Sequence, residues 1–165
     1  MGQTTDTTSS TKFLDACAPE IKQIFEYWDS KRRGRRMPSR EDIDPIEIPR
    51  LLPKVQLVDV EQDPLRFRYR LVGTEMVARR GSDPTGKEVG KAFYGSDPQR
   101  IIANYTYVVE HKTHQYSNTQ FKEPRGWYVS LERIYLPLSE DDDLVNKILV
   151  LVIWSDRIYR TGGSE

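Results

Sequence analysis

Cysteine is nearly absent: the chain has one, Cys17. A single thiol closes no internal disulfide and builds no cysteine-based zinc cluster. It fits a reducing compartment, so a cytoplasmic protein without a metal or other cofactor is expected. Histidine is scarce too, with two, His111 and His114. Long apolar runs are missing, and no stretch approaches the roughly 20 residues that a membrane helix needs. The N-terminus lacks the basic-then-apolar pattern of a secretion signal, and Asp6 stands where an N-myristoylation pattern wants Ser or Thr. No membrane contact is therefore expected. An excess of one charge is also missing. The 25 Lys+Arg balance 25 Asp+Glu, which argues against a generic polyanion binder but leaves room for a local patch. Hydrophobic residues make up 37%. Much of the deficit sits at the two ends, so the middle can still build one core.

The composition divides the chain into four stretches. Residues 1–17 are expected to be disordered, since MGQTTDTTSSTK is small and polar. Residues 18–36 hold a helix. Pro19 suits its first turn, Ile21, Ile24, Phe25 and Trp28 form an apolar stripe at i, i+3, i+4 and i+7, and Gly34 can stop it. That stripe must be buried on the chain's own sheet or on another copy. Residues 37–157 form the main domain, and 158–165 a flexible tail. The basic run Lys31-Arg32-Arg33-Gly34-Arg35-Arg36 reads either as cations complementing a helix C-terminus or as a phosphate-binding patch. Asp44-Pro45-Ile46-Glu47 looks like a capped turn, and Pro49 and Pro53 keep the next segment short. Ile46, Ile48, Leu51 and Leu52 read as lid or core.

Val55 to Glu61 reads as a strand, with a turn at Gln62-Asp63-Pro64-Leu65 and a second strand pairing back from Arg66 to Val72. In that second strand Phe67, Tyr69 and Leu71 alternate with Arg66, Arg68 and Arg70, giving one apolar and one cationic face. Thr74 can cap a short helix carrying Met76 and Val77, ended by Gly81. Gly81 to Gly86-Lys87 has the gap of a phosphate loop, but Glu88 replaces the hydroxyl residue that magnesium needs. Phe93 and Tyr94 precede a helix opened by Ser96-Asp97-Pro98-Gln99, with Ile101, Tyr105, Val108 and Val109 on one face. His111 and His114 close it, and they read as helix-end cations or, at i, i+3, as metal or haem ligands. A polar edge strand over 115–122 and a turn at Glu123-Pro124-Arg125-Gly126 come next. Trp127 to Leu138 is a long strand with Leu131, Arg133 and Tyr135 on one face. The acidic loop Glu140-Asp141-Asp142-Asp143 lacks the glycine and later glutamate of a calcium-binding loop. Ile148 to Trp154 is continuously apolar, so it is expected at the centre of the sheet, buried on both faces.

Met37-Pro38-Ser39-Arg40 with Asp44-Pro45, Leu51-Leu52-Pro53, the strand Phe67 to Thr74, Asp83-Pro84-Thr85-Gly86 and Leu136-Pro137-Leu138-Ser139 occur in an order that resembles a bacterial family of stand-alone PAS proteins, known mostly from alphaproteobacteria. The likeness spans about residues 20 to 155 and implies an α+β fold: a five-stranded antiparallel sheet, helices on one face around a small pocket, and the N-terminal helix on or near the other. It implies sensing or signalling. Flavin-adduct chemistry is excluded, because the sole cysteine is far upstream of the helices. With no room for a kinase, cyclase or helix-turn-helix output, the report is expected to pass through protein contact. The pocket residues implied are Tyr69, Leu71, Met76, Phe93, Tyr105, Val108, Leu131 and Arg133, with Arg133 as the polar anchor of a small apolar or aromatic ligand. The alternatives are a filled core without a ligand, or a nucleic-acid-associated regulator using residues 31–36. No spacing of nucleophile, base and acid suggests an enzyme. The stripe of Ile21, Ile24, Phe25 and Trp28 predicts a homodimer interface, alongside contact with a signalling partner.

Overall fold

The apolar run at the end of the chain lies in the middle of an antiparallel sheet. In the computed structural model, which describes residues 5–8, 10–91, 98–122 and 128–159, the strands are β1 (Thr5–Thr8), β2 (Val55–Glu61), β3 (Arg66–Val72), β4 (Gln115–Lys122), β5 (Tyr128–Leu138) and β6 (Lys147–Tyr159). Their order is β1-β4-β5-β6-β2-β3. Every side chain from Ile148 to Ile153 is buried, as a strand covered on both faces requires. The five expected strands are present, and β1 adds a sixth at the edge by pairing with β4.

The register sorts the side chains onto two faces. Arg133 pairs with Val152, Tyr135 with Val150, and Gln56 with Val150 on the other side. This inner face lies under α2 (Thr74–Arg80) and α3 (Pro98–His111). The outer face carries Ile134, Leu136, Leu149, Leu151 and Leu57, all buried. Helix α1 (Pro19–Arg32) packs across β5 and β6 on that face.

Ile21, Ile24, Phe25 and Trp28 are therefore buried in cis. Trp28 is 1% exposed and donates from Nε1 to the Pro137 carbonyl at 2.9 Å. The stripe assigned to a dimer interface covers the chain's own sheet, because that sheet's second apolar face was the nearer surface to bury. The segment expected to be disordered also has structure. Besides β1, a single 3-10 turn at Lys12–Asp15 inserts Phe13 into the core, stacked on Tyr116 at 4.7 Å and edge-on to Phe25 at 5.5 Å. A strongly polar stretch can still be ordered where one aromatic reaches an apolar face. Buried Glu132 fixes the start of α1, accepting from the Ala18 amide at 3.0 Å and the Tyr116 hydroxyl at 2.7 Å.

Two local readings differ from expectation. The cap of α2 is Gly73, not Thr74. A Cβ there would sit 2.3 Å from the Pro53 carbonyl oxygen and 2.5 Å from that of Leu52, so glycine is what allows the backbone to pass. In β3 the register moves from Val58↔Tyr69 to Leu57↔Leu71, leaving Arg70 as the extra residue of a bulge. The bulge reverses the alternation. Leu71 turns to the outer face, 49% exposed, while Phe67 and Tyr69 remain inside.

Candidate functional site

Tyr69, Met76, Tyr105 and Arg133 do come together under the helices, around a chamber also lined by Gln56, Ile101 and Tyr135. Its aromatic rings pack tightly. Tyr105 stacks on Phe67 at 5.1 Å and meets Tyr135 edge-on at 5.1 Å. The Arg80 guanidinium lies 5.6 Å from the Tyr69 ring. The space left is about 20 Å3, room for about one water. Burial pushes the Tyr69, Tyr105 and Tyr135 hydroxyls up, and the positive charge of Arg133 opposes this only in part. The Ser117, Asn104 and Arg133 side chains surround the buried Tyr135 hydroxyl and oppose the rise in its pKa. Val108 and Leu131 are buried nearby as core residues. Phe93 lies outside the described residues, as do the 123–126 turn and the cap at 96–97. Leu71, on the far side of the sheet, is no part of this chamber.

A much larger space lies on the outer face. Between α1 and the edge of the sheet, residues 38–54 cross β2, β3 and β6 as an irregular arm. The arm folds into single 3-10 turns at Arg40–Asp42, Pro45–Glu47 and Leu52–Lys54. Asp44 caps the second turn, accepting from the Ile46 amide at 3.0 Å, and Ser39 with Asp42 forms a capping box on the first. The Ile43, Ile48, Leu51 and Lys54 amides bond within the arm. Pro45, Pro49 and Pro53 have no amide to satisfy, so the arm can cover an apolar surface without burying unpaired donors. Beneath it is a half-open cavity of about 410 Å3. Ile43, Ile48, Leu52 and Pro53 form its roof. Leu57, Leu138, Leu149 and Leu71 form its floor and mouth, and Arg40 and Thr74 also line it. A volume of this order falls in the range of ligand sites rather than packing defects.

A family model for the PAS domain matches residues 17–153. The chain belongs to the PAS domain family. No curated protein matches the sequence. In this PAS domain the resemblance-bearing residues Arg40, Pro45, Leu52, Pro53, Gly73 and Leu138 all line the outer cavity. The sequence reading placed the site under the helices and missed this one. Its signal was the run of prolines at 45, 49 and 53 among apolar residues.

Three cations of the basic run are engaged within the PAS domain. Lys31 pairs with Glu47 at 2.9 Å, Arg32 with Asp29, and Arg35 with Asp42 at 2.7 Å. Arg35 also donates to the Arg32 and Lys31 carbonyls, so it caps the C-terminus of α1. His111 is exposed and stacks on Tyr107, whereas His114 is 8% exposed among Phe13, Phe25 and Trp28 on the outer face. The two share no site. Among the described residues no group of three or more His, Cys, Asp or Glu could hold a metal. The acidic loop serves its own turn: Asp141 accepts from the Asp143 and Leu144 amides at 2.9 Å, and Asp142 from those of Arg36 and Met37. The Gly86 and Val89 amides bond to Tyr69 and Phe67 carbonyls along β3, which leaves them unavailable for a phosphate cradle. No helix among the described residues is long and apolar enough to cross a membrane.

Proposed function

We propose that this PAS domain is a sensory module that takes a small, largely apolar molecule into the outer cavity and reports its occupancy through contact with a partner protein. The observation that carries this reading is the cavity of about 410 Å3 under the arm, set against about 20 Å3 under the helices. The arm supplies the route outward. Its Glu47 accepts from the Tyr27 hydroxyl at 2.5 Å and pairs with Lys31, while its Asp42 pairs with Arg35. Filling the space below the arm therefore acts on the C-terminal half of α1, and the exposed face of the whole helix carries Lys22, Gln23, Glu26, Asp29 and Ser30. That polar face, rather than the buried stripe, is the partner surface in this reading.

Titration calorimetry with octan-1-ol tests it. Saturable binding to the wild type is expected, with loss of binding in Leu71→Trp, which obstructs the mouth from an exposed position and leaves the core alone. Binding that survives this change unaltered, or no binding by the wild type, contradicts the reading.

A further inference from the structure

Arg40 stands out among the cavity's side chains. Apart from Thr74 its neighbours there are apolar, and it is half-buried at the wall. The guanidinium is fixed by one bond, from Nη1 to the Ile43 carbonyl at 2.9 Å. Among the described residues it has no carboxylate partner, whereas the arm's Lys54 lies 3.9 Å from Glu20 and two of its carboxylates are paired with cations of α1 and the segment after it. Asp42 pairs with Arg35 and Glu47 with Lys31. A guanidinium has five donors in a planar fork, so most of this one's capacity is unspent beside an apolar space. Desolvating a cation without a counter-charge is costly, and an occupant that supplied the anion would relieve that cost.

From this arrangement we infer that the outer cavity takes an amphiphilic monoanion, a carboxylate on a medium-length aliphatic or single-ring aromatic body. The carboxylate pairs with Arg40 near the Ile43 wall, and the apolar body lies over Leu57, Leu138 and Leu149 beneath the arm. The cavity, about 410 Å3, is well over twice the roughly 150 Å3 that accommodates a benzene ring. A body of about eight carbons is therefore a fitting probe. This inference rests on the proposed ligand site, and it adds the charge of the ligand.

Calorimetry with octanoate and with octan-1-ol, on wild type, Arg40→Gln and Arg40→Lys, separates the two claims. Octanoate is expected to bind the wild type more tightly than the alcohol, and Arg40→Gln to weaken octanoate about tenfold or more while moving the alcohol less than about twofold. Arg40→Lys should recover part of the loss, and added salt should weaken octanoate alone. Alcohol binding without any preference for octanoate overturns the anion and leaves the cavity as a site. Absence of both overturns the site itself. Equal octanoate affinity in Arg40→Gln overturns the role of Arg40. Sedimentation of the same samples addresses a second copy seated on exposed Ile46 and Leu71. A dimer that octanoate does not disperse overturns small-molecule occupancy.

Discussion

Trp28 fills the outer face where α1 crosses β5, with Phe25 at 6.0 Å and His114 at 6.3 Å between ring centroids. Trp28→Ala removes that volume and leaves the Pro137 carbonyl without its donor. Stability in urea should fall by about 3–5 kcal/mol; a loss below about 1 kcal/mol would mean that α1 rests loosely. His114 gives a pH dependence. Burial lowers its pKa from the usual 6.5, helped by the positive charge of Arg32 and opposed by Ser10's carbonyl and Asp29. The folded state therefore favours the neutral ring, and the unfolded chain binds more protons as pH falls below 6.5. Its contribution is complete above that value and is lost as pH drops toward the folded pKa. In His114→Phe the slope of stability with pH just below 6.5 should flatten; an unchanged slope assigns it to other groups. At Gly73 the limit is space rather than φ, which is −61°. Gly73→Ala would force the Pro53 carbonyl away and is expected to lower the melting temperature and disturb the cavity together.

Among the elements, the arm is where sequence and structure part most. The strands, their order of burial and the helix stripes were legible, because periods of two and of about four survive in single residues such as Tyr69 or Val108. Leu71 was not. A bulge at Arg70 has no sequence mark in an alternating strand, and one extra residue sends every later side chain to the opposite face. The arm was seen only as punctuation by proline. Its roofing role depends on where residues far apart in sequence, Leu57 and Leu149, place the floor. Tyr69, Met76, Tyr105 and Arg133 do meet under the helices, but the volume left among them depends on how closely Tyr105 approaches Phe67 and Tyr135, and no spacing encodes that. Asp42 holds the arm's first turn. It accepts from the Ser39 amide and hydroxyl at 2.8 and 2.9 Å and pairs with Arg35, and these contacts lower its pKa to about 2. Asp42→Ala should speed amide exchange across residues 39–48 by about tenfold while β5 and β6 keep their protection. Equal acceleration in the strands would show that the arm opens only with the whole fold.

For the whole molecule, α1 and the arm divide the outer face between them. The helix covers β5 and β6, and the arm covers β2 and the lower part of β6. A chain beginning at Arg35 would lay bare Ile134, Leu136 and Leu151, each 0% exposed in the intact protein. It is expected to aggregate rather than fold; a soluble, cooperatively melting product would show that α1 is dispensable. Dimerisation through the stripe would require these same contacts to be given up, since Ile21 and Ile24 are 0% exposed. The inner and outer faces meet in β6, whose alternate side chains serve the aromatic chamber and the cavity floor. The choice between the two faces as ligand site is thus the central question. Methyl NMR of the full chain, titrated with octanoate, answers it most directly. Shifts are expected at Ile43, Ile48, Leu57, Leu138 and Leu149, with Met76, Ile101, Val108 and Leu131 unmoved. Shifts confined to the second group would put the ligand under the helices and contradict the outer site.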